Sequence, residues 1–137
     1  GCACPMGALA REFLNKLKNN EKEWVIVDTE AGVEHFGRGV LEGTDAVLMV
    51  IDPSHEAVIL AEKAAKLAEE AGKSFAVVLN KVDEKTEPRL KKMLEKMNID
   101  IAGVLPYSPA IAEANLAGEP LNVEPLRQEL RNILNHI

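Results

Sequence analysis

A chain of 137 residues, 47% apolar, 28% charged and 4% aromatic, is long enough to bury one core of Val, Ile, Leu and Ala without disulfide or metal staples. Its formal net charge of -6 excludes a general nucleic-acid surface, because phosphate backbones are held by net basic faces. No apolar run reaches the roughly 20 residues of a membrane-spanning helix, and no basic stretch leads into an apolar one at the N-terminus. One cytoplasmic domain over 1–137 is therefore expected, with neither nucleic acid nor membrane as partner.

Taken in chain order, Gly1-Cys2-Ala3-Cys4-Pro5 holds both cysteines. Two thiols one residue apart are too close for an easy disulfide and too few for a closed tetrahedral metal site. Two copies of the segment, one from each subunit of a symmetric dimer, complete a four-sulfur site; a pair of reduced thiols in a turn is the plainer alternative. The spacing then predicts an amphipathic helix over Met6–Leu17.

Four short runs rich in Val, Ile and Leu follow, at Trp24–Val27, Ala46–Ile51, Phe75–Leu79 and Ile101–Leu105. They are continuous rather than alternating, as strands covered on both faces of a parallel sheet are. Between the second and third, Asp52-Pro53-Ser54 opens a helix over Ser54–Ala71 whose apolar stripe is Ala57, Leu60, Ala61, Ala64, Leu67, Ala68 and Ala71, and Gly72 closes it. Further helices are expected over Arg89–Met97 and Glu124–Ile133. Lys85, Arg89, Lys91, Lys92 and Lys96 alternate with Glu84, Glu87 and Glu95, the pattern of a solvated helix face. The fold class is α/β, with a mostly parallel sheet and flanking helices, and ligands of such sheets bind beyond the carboxyl ends of the strands.

Those ends carry polar residues. Val27 runs into Asp28-Thr29-Glu30-Ala31-Gly32, a carboxylate and then a glycine, which suits a magnesium-bound water and an amide approaching a terminal phosphate. A strand-end Asp is also a common turn or helix-cap residue. Leu79 runs into Asn80-Lys81-Val82-Asp83, where an amide with both donor and acceptor can pair with a purine edge, although Asn and Asp are common in turns as well. Leu105-Pro106-Tyr107 ends the fourth run, and its proline can present the preceding backbone to a ring. His35 is either a ligand or switch or an ordinary surface histidine.

Three segments together carry a resemblance: Cys2-x-Cys4-Pro5-x-Gly7-Ala8, then Val27-Asp28-x-Glu30-Ala31-Gly32-x-Glu34-His35-x-Gly37-Arg38-Gly39, then Asn80-Lys81-Val82. The chain resembles the CooC-type accessory ATPases of carbon monoxide dehydrogenase maturation, which belong to the MinD/ParA-like P-loop proteins, and does so over essentially its whole length. The resemblance implies that Asp28 supports magnesium, Gly32 lies near the γ-phosphate, and Asn80 with Pro106 and Tyr107 forms the adenine pocket. It implies further that Cys2 and Cys4 bind nickel or zinc at a homodimer interface, and that the client is a nickel enzyme such as carbon monoxide dehydrogenase.

The departure is the glycine-rich loop with which that family opens, of the Lys-Gly-Gly-x-Gly-Lys-Thr kind; nothing in these 137 residues matches it. Phosphate positioning is most of phosphoryl-transfer catalysis, so the chain is not expected to hydrolyse ATP alone. ATP or ADP with Mg is expected only where further sequence or a partner chain supplies the loop. The chain then corresponds to the part of such an ATPase downstream of the loop. Because the loop-bearing strand lies in mid-sheet in that family, either the Trp24–Val27 and Ala46–Ile51 strands close on each other or another chain fills the gap. A non-catalytic regulatory or scaffold module is the alternative function. A flavodoxin-like or receiver-like fold lacks its acidic cluster or flavin phosphate loop here.

Overall fold

The structure, a computed structural model, describes residues 12, 13, 16, 23–29 and 41–137. Among these, the chain alternates β1 (Ala46–Ile51), α1 (His55–Glu70), β2 (Ser74–Val82), α2 (Thr86–Glu95), β3 (Asp100–Pro106), α3 (Pro109–Ala117) and α4 (Arg127–His136), with 3-10 turns at Leu41–Gly43 and Glu124–Leu126. The strands form a parallel sheet in the order β1-β2-β3, with Ala46 opposite Ser74, Ile51 opposite Leu79, and Asn80 opposite Leu105. This is the expected α/β class, in the form of a partial P-loop-like architecture.

Central placement explains why β2 is the most apolar run: Ala76, Val77, Val78 and Leu79 are all buried. Alternation of side chains divides them between two faces. Val77 and Leu79 join Ile51, Val58 and Ala61, together with Leu90, Leu94 and Ile99, in a core under α1 and α2. Ala76, Val78 and Ala102 meet Ile133 of α4 on the other face. Burying side chains as fully as Ile51, Leu79 and Leu94 contributes about 1.5–3 kcal/mol each. Gly103 of β3 is the point of closest approach to α4: a Cβ built there would lie 2.3 Å from Ile133 Cγ1 and 2.9 Å from its Cδ1.

The helices start and stop on local chemistry. Ser54 caps α1, its hydroxyl accepting from the Ala57 amide at 3.1 Å, and Gly72 leaves the helix at φ +66°. The buried stripe of α1 is Val58, Ala61, Ala64 and Ala68, while Ala71 of the expected stripe is exposed as the C-cap. The expected helix at Arg89–Met97 begins earlier, at Thr86, and the expected terminal helix divides into a 3-10 turn and α4. Nothing in the periodicity announces α3, since none of its residues is buried. The basic residues Lys85, Arg89, Lys91, Lys92 and Lys96 are exposed, with Lys91 paired to Glu87 at 2.6 Å, as a solvated face requires.

One expectation is corrected. Trp24–Val27 is not a strand: the segment 23–29 is irregular, and Trp24, Val25, Ile26 and Val27 are 62%, 44%, 78% and 38% exposed. The two runs therefore do not close on each other; β1 pairs with β2 instead, and Val50 of β1 is 57% exposed. A β-branched, apolar composition gives a tendency to pair, but a strand exists only where a neighbour completes its ladder. Of the expected helix at Met6–Leu17, Glu12, Phe13 and Lys16 are described and Glu12 and Lys16 are ion-paired; the rest lies outside the described residues. Among the described residues, no helix is long and apolar enough to cross a membrane.

Candidate functional site at the carboxyl ends of the strands

Parallel pairing brings the carboxyl ends of β1, β2 and β3 to one edge of the sheet, where Asp52, Asn80, Lys81, Pro106 and Tyr107 gather. The edge is shaped by a break in the β2 ladder. The register slips between Asn80 and Val82, and Lys81 between them takes a left-handed backbone at φ +54°. A non-glycine residue in that region costs energy and is held by its surroundings. Here they hold it at both ends: Asn80 pairs with Leu105 before it, and after it Val82 pairs with Pro106 and accepts from the Tyr107 amide at 2.9 Å.

The bulge turns Asn80 and Lys81 toward the end of β1. The Asn80 amide nitrogen donates to Asp52 Oδ1 at 2.9 Å, and Lys81 Nζ donates to Asp52 Oδ2 at 2.7 Å. One carboxylate thus spans two neighbouring strand ends, on side chains about half exposed. The Asn80 carbonyl oxygen pairs with no described residue. Pro106 and Tyr107 are exposed beside it, Tyr107 by 54%.

The last residue of the Asn-Lys-x-Asp segment has different work. Asp83 Oδ1 accepts from the amides of Lys85 at 3.0 Å and Thr86 at 2.7 Å and from the Thr86 hydroxyl at 2.8 Å, closing the first turn of α2. The Thr86 amide, with the Thr86 hydroxyl and Lys85 amide after it, holds the Asp83 carboxyl below its ordinary range. The turn reading of Asp83 is the correct one, and Asn80 is the residue of the segment that reaches the end of β1.

Of the site residues expected from sequence, the structure brings Asn80, Pro106 and Tyr107 together. Asp28 is exposed in the irregular segment 23–29, and Cys2, Cys4, Gly32 and His35 lie outside the described residues. Among the described residues, no group of three or more His, Cys, Asp or Glu side chains is placed to hold a metal ion. Sequence reasoning missed Asp52, reading it as part of a helix start when Ser54 is the cap. The signal that could have found it is the apolar run Val50-Ile51 delivering a carboxylate at a strand end, the same pattern that singled out Asp28.

No family model matches the chain. Among curated proteins, it is 49% identical over 125 residues to an uncharacterized ATP-binding protein of Methanocaldococcus jannaschii, covering 90% of this chain and 49% of that protein. A second ATP-binding protein of the same organism is 35% identical over 140 residues, covering 100% of this chain and 54% of the other. The carbon monoxide dehydrogenase accessory protein CooC of Rhodospirillum rubrum is 35% identical over 120 residues, 86% of this chain and 45% of that one. The chain is a CooC-like relative of these ATP-binding proteins. It spans about half the length of the curated relatives it matches. Within this stretch, the strand-end cluster offers a side-chain amide, an aromatic ring and a proline turn.

Proposed function

We propose that this chain is the metal-binding, adenine-reading portion of a nickel-enzyme maturation ATPase related to the carbon monoxide dehydrogenase accessory proteins. The observation that carries the reading is the convergence of Asn80, Pro106 and Tyr107 at one sheet edge, with the Asn80 carbonyl facing no described partner. The likeness to CooC supports the client class, a nickel enzyme such as carbon monoxide dehydrogenase.

In this reading the base lies against Pro106 and Tyr107 and is read by Asn80. Asp28 supports magnesium and Gly32 approaches the γ-phosphate, as the resemblance to the MinD/ParA-like proteins implies. The phosphates themselves need a glycine-rich loop, supplied by further sequence or by a partner chain. The metal is cargo: Cys2 and Cys4 from each of two chains form a four-thiolate set, soft enough to select nickel or zinc over magnesium. Dimerisation and metal capture are then one event.

The test of the base site is titration of the isotope-labelled chain with adenosine, followed by the backbone amide of Tyr107 and the side-chain amide of Asn80. Both signals shift in the native chain, and Asn80→Ala weakens binding about tenfold, the worth of one hydrogen bond. A native chain whose spectrum adenosine leaves unchanged would return the edge to the regulatory or scaffold reading.

A further inference from the structure

We infer that Asp52 is a positioning residue that selects the base: it fixes the Asn80 amide so that the site accepts a purine with an exocyclic amino group at C6 and rejects one with a carbonyl there. The inference rests on the adenine-reading role proposed for Asn80 and deepens it.

An asparagine amide has two orientations related by a half-turn, one presenting a carbonyl to a ligand and the other presenting an amino group. A free side chain offers both, and so reads 6-amino and 6-oxo purines alike. Here the neighbouring carboxylate makes the choice. The carboxylate of Asp52 accepts hydrogen bonds and donates none, so the group 2.9 Å from its Oδ1 is the Asn80 nitrogen. The reverse orientation would set the Asn80 carbonyl against a carboxylate oxygen, two acceptors with no proton between them. Attraction in one orientation and repulsion in the other bias the flip together.

The lock also needs Asp52 itself to stay in place. Lys81 holds the second oxygen at 2.7 Å, and the left-handed backbone of Lys81, at the slip in the ladder, is what puts consecutive side chains of β2 on one carboxylate. In an undisturbed strand, Asn80 and Lys81 would point to opposite faces of the sheet. The strained residue therefore has a use: it allows both contacts at once. With the nitrogen engaged, the carbonyl oxygen is the atom left to meet a base, and it accepts from an amino group but not from a carbonyl.

The test compares adenosine with inosine, which differ in the group at C6 and in the proton on N1, on the native chain and on Asp52→Ala, by chemical-shift titration of the Asn80 and Tyr107 signals. Asp52 is exposed, and spectral dispersion verifies that the variant is folded. The native chain is expected to favour adenosine about tenfold, and Asp52→Ala to bring the ratio close to one as the amide turns freely. Asp52→Asn, which can present an amino group to the Asn80 carbonyl, is expected to lower the ratio as well, providing a second variant should the first not fold. Equal binding of the two nucleosides by the native chain, or an adenosine preference that survives in both variants, overturns the role of Asp52 and leaves Asn80 as the reader. Absence of binding by either nucleoside to the native chain overturns the adenine reading, and this inference with it.

Discussion

At Gly103 a hydrogen atom stands where any other residue would place a carbon inside Ile133. With 2.3 Å to Ile133 Cγ1, a methyl group can be admitted only if α4 moves off the sheet or Ile133 leaves its rotamer. Gly103→Ala is expected to cost about 1–3 kcal/mol in urea unfolding, the usual penalty of overpacking. The penalty should shrink in an Ile133→Ala background, because the colliding atoms are then gone and the two changes are not additive. Full additivity would mean that the contact is not what excludes a side chain at 103. Single residues were legible in the sequence where their chemistry is local: Ser54 as a helix opener, Gly72 as a helix end, Asn80 as a strand-end amide. Asp52 was not, because its partners Asn80 and Lys81 lie 28 and 29 residues away and reach it through a bulge. A ladder slip leaves no mark in composition or period.

At the scale of elements, α4 is tied to the start of β3 by a hydrogen bond between His136 Nε2 and Asp100 Oδ2 at 2.7 Å. That bond lowers the Asp100 carboxyl from its ordinary value of 3.8. A carboxyl whose pKa is lower folded than unfolded adds stability above its ordinary value, and loses that stability as pH falls through the lower, folded one. Asp83, lowered by its contacts with the first turn of α2, has the same sign. Acid unfolding should therefore steepen below pH 3.8, and Asp100→Asn should lower stability at neutral pH and flatten that limb. An identical acid limb in the variant would remove Asp100 from the account. Elements were legible where burial is periodic or continuous: Ala46–Ile51 is β1 at its bounds, and Ser54 and Ala71 are the two caps of α1. Helix α3 was not, because a helix with no buried residue has no stripe to read. Its signals are at its ends: Ser108, whose hydroxyl accepts from the Ile111 amide, then Pro109 in the first turn, and Gly118 at φ +71° as the C-cap.

At the scale of the molecule, the α/β class and the order of strands follow from continuous apolar runs separated by helices. The exposure of Trp24–Val27 and of Val50 does not follow from composition, since whether an apolar run is covered depends on what lies beside it. The proposed role joins this sheet to the paired thiols of Cys2 and Cys4, and a shared four-sulfur site makes a definite demand on stoichiometry. The decisive experiment is metal content measured together with molecular mass in solution, before and after chelation. A dimer carrying one nickel or zinc ion per two chains, dissociating when the metal is withdrawn and losing the ion on Cys2→Ser or Cys4→Ser, is the result predicted. A monomer that retains no metal, or a dimer that holds together unchanged in chelator and in both serine variants, would contradict it.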